Sequence, residues 1–332
     1  MRRFTALLLL LAPLLWITWG WKPLPPDSPR ALLRVSDRTA QIGRDDRAKL
    51  GPFRPLHLWH ITSPSPRFGG YSALLAMPEG DFLALSDRNS WARFAVPMRA
   101  GRATAKTGRL IYERRLDGGY SGFDVESAVL DPIDGSLWVG AEGGDRVFRL
   151  ARRGLGVQAF SIGPMKAWPR NGGAEAMARL RDGCWMILCE SCAFDTAGAH
   201  LGLLFSGHPG RSPLSPFRIV LPEGFDPVDM TPLPDGRLLI LTRRLNLFPL
   251  HFESRIVLAD PAQIDRRRAL RTTELARIDG QNLRENYEGM TLLPGSGRQM
   301  VLWLISDAND SAFQRTLVLE LAFDPLQFPL IR

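Results

Sequence analysis

The chain has 332 residues, 45% of them apolar, which excludes a disordered protein and leaves room for one large domain or two ordinary ones. Its formal charge is +8, and only four of its 42 basic residues are lysines (Lys22, Lys49, Lys106 and Lys166). The arginines that carry the rest are scattered rather than striped and come with no DNA- or RNA-binding motif, so we expect no nucleic-acid partner.

The N-terminus reads MRRFTALLLLLAPLLWITWGWKPLPPD. Arg2 and Arg3 precede an apolar run of 18 residues, Phe4 to Trp21. This pattern predicts a hydrophobic signal peptide or signal-anchor helix over 1–21 and therefore export. Thr18-Trp19-Gly20 lacks the small flanking residues of a cleavage site, so residues 4–21 could serve as a membrane tether. The expected location is the periplasm, or the periplasmic face of the inner membrane of a Gram-negative bacterium. Residues 22–50 read as a linker and 51–332 as the folded domain. Nothing in the sequence signals an oligomeric state.

Beyond the linker one pattern recurs five times, at 69–90, 123–150, 172–191, 225–248 and 286–310. Each copy has a polar or acidic lead residue, an apolar strand, a turn such as Pro-Asp-Gly, a second apolar strand and a polar end. The leads are Ser72, Glu126, Glu175, Asp229 and Glu288, spaced by 54, 49, 54 and 59 residues. Asp-Gly between apolar runs is a hairpin signal. A repeat of that length suits a four-stranded propeller blade. Fainter outer strands follow, at 109–116, 146–153, 202–207, 254–264 and 315–323. FRPLHLWHITS (53–63) is expected to join the last strands and close the ring. The predicted fold is all-β, a β-propeller of six blades with four antiparallel strands each, five blades being the alternative.

In such a fold equivalent residues of the inner strands gather at one mouth of the central channel. The predicted cluster is Glu126, Glu175, Asp229 and Glu288 from the leads, with Asp87, Glu142, Glu190 and Asp307 from the ends of the second strands. Crowded carboxylates raise one another's pKa unless a cation lies among them. Their oxygens select hard cations such as calcium. We therefore expect calcium at Glu126, Glu142, Glu175, Glu190, Asp229, Glu288 and Asp307, with no organic cofactor. Glu126, Glu175 and Glu288 are the candidate catalytic acids. Arg88, Arg146, Arg170, Arg243 and Arg284, with Ser72 and Asp87, are candidates for binding a small anionic ester or phosphate. Acids at strand starts also cap turns or bond backbone N–H groups of a neighbouring blade, the competing reading for each of them. Asp131, Asp134, Asp182 and Asp235 lie in turns and are read as turn residues.

Other chemistries find little support. The sequence has no Gly-x-Ser-x-Gly elbow and no His-Glu-x-x-His motif. His57 and His60 are three apart, a spacing that puts them on opposite faces of a strand. Cys184, Cys189 and Cys192 allow one disulfide and leave one thiol, with the pairing open.

YSALLAMPEGDFLALSDRNS, FDVESAVLDPIDGSLWVGAEGGDRVFRL, RNGGAEAMARLRDG, DPVDMTPLPDGRLLILTRRL and NYEGMTLLPG, in that order and spacing, resemble the esterase-like activity of phytase family of exported bacterial proteins. The resemblance covers roughly residues 65–325. It implies a phytase-like β-propeller and a hydrolase of phosphate or carboxylic esters. The family's characteristic acids match Glu126, Glu142, Glu175, Glu288 and Asp307, and Glu190 is kept within MILCES. Thr242 stands where the family pattern has an acid before two arginines, and Ser72 leads the first copy. Three functions follow as expectations. The first is calcium-assisted hydrolysis of phosphate monoesters by water, with Arg88 and Arg170 on the phosphate. The second is a non-catalytic ligand-binding or scaffold propeller. The third is a carboxylesterase using Ser72, Ser86 or Ser127.

Overall fold

The turn chemistry predicted from the repeats closes the hairpins. Gly236, at φ +92°, donates its N–H to Leu233 O at 3.1 Å, and Gly80, at φ +84°, does the same to Met77 O at 3.0 Å. Both are left-handed positions that favour glycine. In the computed structural model the residues described are 28–329, except 66, 97, 115–119, 123, 152–155, 194–198 and 309–313. The expected signal or anchor helix over 1–21 lies outside them. Among the described residues no helix is long and apolar enough to cross a membrane.

The chain opens with β1 (Arg30–Asp37), a short helix α1 (Arg44–Lys49) and β2 (Arg54–Thr62). The first four-stranded unit is β3 (Tyr71–Ala76), β4 (Asp81–Ser86), β5 (Ser90–Ala95) and β6 (Gly101–Arg109). A separate hairpin, β7 (Ile111–Arg114) and β8 (Tyr120–Gly122), follows. The second unit is β9 (Val125–Leu130), β10 (Leu137–Ala141), β11 (Arg146–Leu150) and β12 (Val157–Ser161). The third is β13 (Ala174–Arg179), β14 (Trp185–Ala193), β15 (Ala199–Phe205) and β16 (Leu214–Val220). The fourth is β17 (Asp226–Pro232), β18 (Leu238–Leu247), β19 (Leu250–Ala259) and β20 (Thr273–Ile278). The fifth is β21 (Asn286–Pro294), β22 (Met300–Asp307) and β23 (Thr316–Phe323), completed on its outer edge by β2.

The first strands β3, β9, β13, β17 and β21 neighbour one another in a closed cycle, giving a propeller-like ring. Five apolar clusters fill the spaces between successive units. Close approach on the ring is possible because residues such as Gly289 carry no side chain: a Cβ there would lie 2.8 Å from the Leu74 N of the next inner strand.

Three expectations change. The described residues form five four-stranded units, not six. The segment expected to start a sixth is consumed as the outer strand of the fifth, with Leu58 opposite Leu319, and the strands left over among the described residues are β1 and the two-stranded β7–β8 hairpin. The linker expected over 22–50 carries β1 from Arg30 onward. Its alternation buries Ala31, Leu33 and Val35, and β1 bridges β2 to β6. Residues 109–116, expected as an outer strand of the first unit, contribute β7 to the separate hairpin instead, because β6 already fills that edge.

Candidate functional site

Every inner strand breaks its pairing with the second strand at one bulged residue. The bulged residues are Ser72, Glu126, Glu175, Val228 and Glu288. A bulge re-aims one side chain without displacing the rest of the strand. Here it turns Ser72, Glu126 and Glu288 to one mouth of the ring and sets Glu175 against Glu126, whereas Val228 packs into the core. The residue opposite the strand start, on the second strand, is Asp87, Glu142, Glu190, Arg243 and Asp307 in turn. Two residues before each bulge stand Gly70, Asp124, Gly173, Asp226 and Asn286.

Ser72, Asp87, Glu126, Glu142, Glu190, Glu288, Asp307 and Arg243 all line one cavity of about 490 Å³, as expected of a shared mouth. Asp124, Asp226, Arg244, Leu245, Phe252 and Asn286 complete its wall and were not anticipated. A signal for two of them exists: Phe-Asp occurs at 123–124 and again at 225–226, in the same phase of the repeat. Aligning those pairs makes Val228, not Asp229, the fourth lead.

Asp229 is thus not a site residue. One position off the bulge, it points the other way. Fully buried, its Oδ1 accepts from Met230 N at 2.8 Å and its Oδ2 from Met290 N, on the next inner strand, at 2.6 Å. Burial pushes its carboxyl well above the usual range, and the two N–H bonds offset part of that. Thr242 is likewise not a lost ligand position. It is buried, donates to Arg255 O at 3.3 Å, and is equivalent to Ser86, Ala141, Cys189 and Ser306. The acid row at this unit is occupied by Arg243.

Arg243 spans the mouth. Its Nη2 lies 3.0 Å from Glu190 Oε1, and its Nη1 donates to Asn286 Oδ1 at 2.7 Å and to Glu288. Asn286 Nδ2 also holds Glu288 Oε1, at 2.6 Å. Burial works against the Arg243 charge, but Glu288, Glu190 and Glu175 more than offset it, so the guanidinium is held firmly protonated. The Cys189–Cys192 disulfide brackets Glu190 and leaves Cys184 as the free thiol.

The other side of the mouth has carboxylates without such a cation. Glu126 and Glu175 share a hydrogen bond; burial and the Glu175 charge push Glu126 up, and burial with the Glu190 charge raises Glu175, which Arg243 and the bond to Glu126 offset in part. Asp124 is pushed up to about 6 by burial and by the Glu142 carboxyl hydrogen-bonded to it. Asp124, Glu126 and Glu142 each bring one carboxylate oxygen within 4.8 Å of the others. Glu142 raises Asp124 and Asp124 raises Glu126, and three acids convergent in this way are a donor set suited to a hard cation. The predicted calcium set therefore divides. Glu126 and Glu142 meet the unforeseen Asp124, and Glu175 abuts Glu126. Glu190 and Glu288 bind Arg243, Asp229 is structural, and Asp307 lines the wall apart from the trio.

Among the other arginines, Arg88 lies beside Asp87, its Nε 3.6 Å from Oδ1. Arg146 is exposed next to Asp145, and Arg170 is exposed while its carbonyl oxygen accepts from Gly143 N at 2.9 Å. Arg284 bonds Gly280 O through its backbone N–H. None of these four, Arg88 included, lines the cavity. Ser127 Oγ donates to Ala174 O at 2.6 Å and Ser86 Oγ to Asp87 at 3.1 Å. The imidazole hydrogen bonds described go to Glu190 O, Asp131, Pro249 O and Glu253, and Asn246 also pairs with His251; no described ring nitrogen bonds a serine. His57 stacks on Trp59, with ring centroids 4.7 Å apart.

Among solved structures, the chain is similar to a protein of unknown function from Bacteroides caccae (12% identity, TM-score 0.41, covering 92% of this chain and 97% of that one). It is also similar to an endo-arabinase from Bacteroides thetaiotaomicron (8%, TM-score 0.49, 76% and 93%) and to the PQQ-bound aldose sugar dehydrogenase from Streptomyces coelicolor (13%, TM-score 0.41, 76% and 95%). No match to a curated protein was found. A family profile described as esterase-like activity of phytase matches residues 66–310, and with most of its length covered the chain belongs to this phytase-like family.

Proposed function

We propose that the protein is an exported, five-bladed phytase-like hydrolase that uses water to cleave phosphate esters at the carboxylate mouth, with calcium as its cation. The observation that carries this reading is the convergence of Asp124, Glu126 and Glu142 within 4.8 Å, on a wall that otherwise gathers acids. A bound calcium ion would supply Lewis-acid polarisation of a phosphoryl oxygen. Asp124, Glu126 and Glu142 would hold it, displacing the protons that burial and crowding retain on Asp124 and Glu126. Arg243 and Asn286 fix Glu288 in one orientation, and the proton shared by Glu126 and Glu175 is stored at the mouth. The water oxygen bonds to phosphorus, the ester P–O bond breaks, and the leaving alcohol takes up a proton. Arg244, on the cavity wall, and Arg88, beside the wall residue Asp87, are the arginines that would meet the phosphate.

Phosphate release from a panel of phosphomonoesters, phytate included, tests this. Release that needs calcium, stops with chelator and is lost in Glu126→Gln supports it; no release from folded protein under any condition refutes it. A second reading, a non-catalytic ligand-binding propeller, draws on Arg243 being engaged by two carboxylates and an amide rather than open to an anion. The proposed location remains the periplasm or its membrane face, supported by the apolar run Phe4 to Trp21. Fractionation of cells expressing the chain checks it.

A further inference from the structure

Strands β18 and β19, ten residues each, stay paired out to Leu247 opposite Leu250. Cross-strand partners share a face and alternate along the strands. One face of this extension carries Arg243 with Ser254, then Leu245 with Phe252, then Leu247 with Leu250. The other is polar: Arg244 is paired with Glu253 at 2.8 Å, and Asn246 lies 3.3 Å from His251. Leu245 and Phe252 line the cavity, and Arg243 lies over the Phe252 ring, 5.8 Å from its centroid. The apolar face is therefore continuous with the charged ring. It is also uncovered: Leu245, Leu247, Phe248 and Leu250 are 46%, 64%, 96% and 73% exposed. They make up four of the seven large hydrophobics exposed among the described residues. An apolar patch of this kind, gathered beside a cavity, marks a binding surface.

We propose that this face is the tail-binding wall of the site and that the ligand is an amphiphilic ester. Its polar head enters the carboxylate mouth, and its hydrocarbon part lies along Leu245, Phe252, Leu247 and Leu250. From Leu245 to Leu247 the wall extends roughly 7 Å, the rise of two strand residues. The inference rests on the proposed function for the identity of the head, but the tail wall is tested separately.

Calorimetry on the full chain measures binding of ethyl to octyl phosphate with calcium, and of butanol to octanol without it, all below micelle formation. On a wall that covers one side of the chain, affinity is expected to rise about twofold per methylene, half of what full burial gives in free energy. In a Leu247→Ser, Leu250→Ser double variant the longest-to-shortest ratio should fall toward one in both series. These side chains are exposed, and a melt matching that of the parent protein checks folding. Equal affinity along both series overturns the proposal. So does a gradient that the variant leaves intact. If the variant instead loses only its sedimentation with phospholipid vesicles, the face docks on a bilayer and the proposal again falls. An alkanol gradient abolished by the variant, without phosphate release or ethyl phosphate binding, supports the wall while removing the phosphate reading.

Discussion

Asp229 and Glu126 show how far one position changes a carboxylate's work. Asp229 joins two inner strands through backbone N–H groups, and Glu126 faces the mouth on a bulge. Asp229→Ala strands two buried donors and is expected to cost about 2 kcal/mol in denaturant unfolding, with calcium affinity unchanged. Glu126→Gln is expected to weaken calcium about tenfold or more, and to raise the melting temperature of the calcium-free protein by relieving crowding. Titration of both variants with calcium separates the roles; equal loss in the two would refute the assignment. Asp124 sets a pH dependence. Its carboxyl is raised from 3.8 to about 6, so in calcium-free protein its stabilising contribution is complete below the unfolded value and lost as pH rises through the folded one. Calcium competes with that proton. Its stabilising effect should therefore be larger at pH about 7 than at about 5. Melts with calcium and with chelator at the two pH values read this directly, and equal effects would remove Asp124 from the cation site.

At the scale of the element, the fourth unit departs from the others. It places Val228 at the bulge and Arg243 where the other second strands carry acids. It thereby supplies the cation that neutralises Glu190 and Glu288 and leaves the Asp124, Glu126 and Glu142 side uncompensated. Arg243→Met keeps volume but leaves these two carboxylates, both largely buried, without their cation, with an expected loss of about 3 kcal/mol in chelator. Low pH should restore part of that stability, because protonation removes the unpaired charges. Unfolding free energies at two pH values check this, and a variant as stable as the parent at neutral pH would show that the pairing is not structural.

Across the whole molecule, the ring depends on its two chain ends meeting. β2 covers the edge of β23 and contributes buried Leu58, Trp59 and Ile61. A chain beginning at residue 64 would expose the edge of β23 and open two inter-unit clusters. It is expected to lose its cooperative thermal transition, whereas a chain beginning at residue 28 keeps β1 and β2 and should unfold cooperatively. Calorimetric scans of the two distinguish closure from a dispensable N-terminal strand.

Periodicity by itself determined the class of fold, the hairpin turns and most of the acids at the mouth, because the two-residue alternation of a strand and the chemistry of a turn are local. Glu126, Glu142, Glu190, Glu288 and Asp307 are legible as repeated positions for that reason. The number of units was not, since it depends on which distant edge Arg54–Thr62 pairs with. The rejection of Asp229 was not either, because a bulge shifts facing by one residue and no local pattern around Val228 announces it apart from the Phe-Asp phase. Nor was the division of the mouth into an Arg243 side and a three-carboxylate side. Which carboxylate meets a guanidinium and which meets another carboxylate depends on distances across the ring, and only the closed tertiary structure decides those.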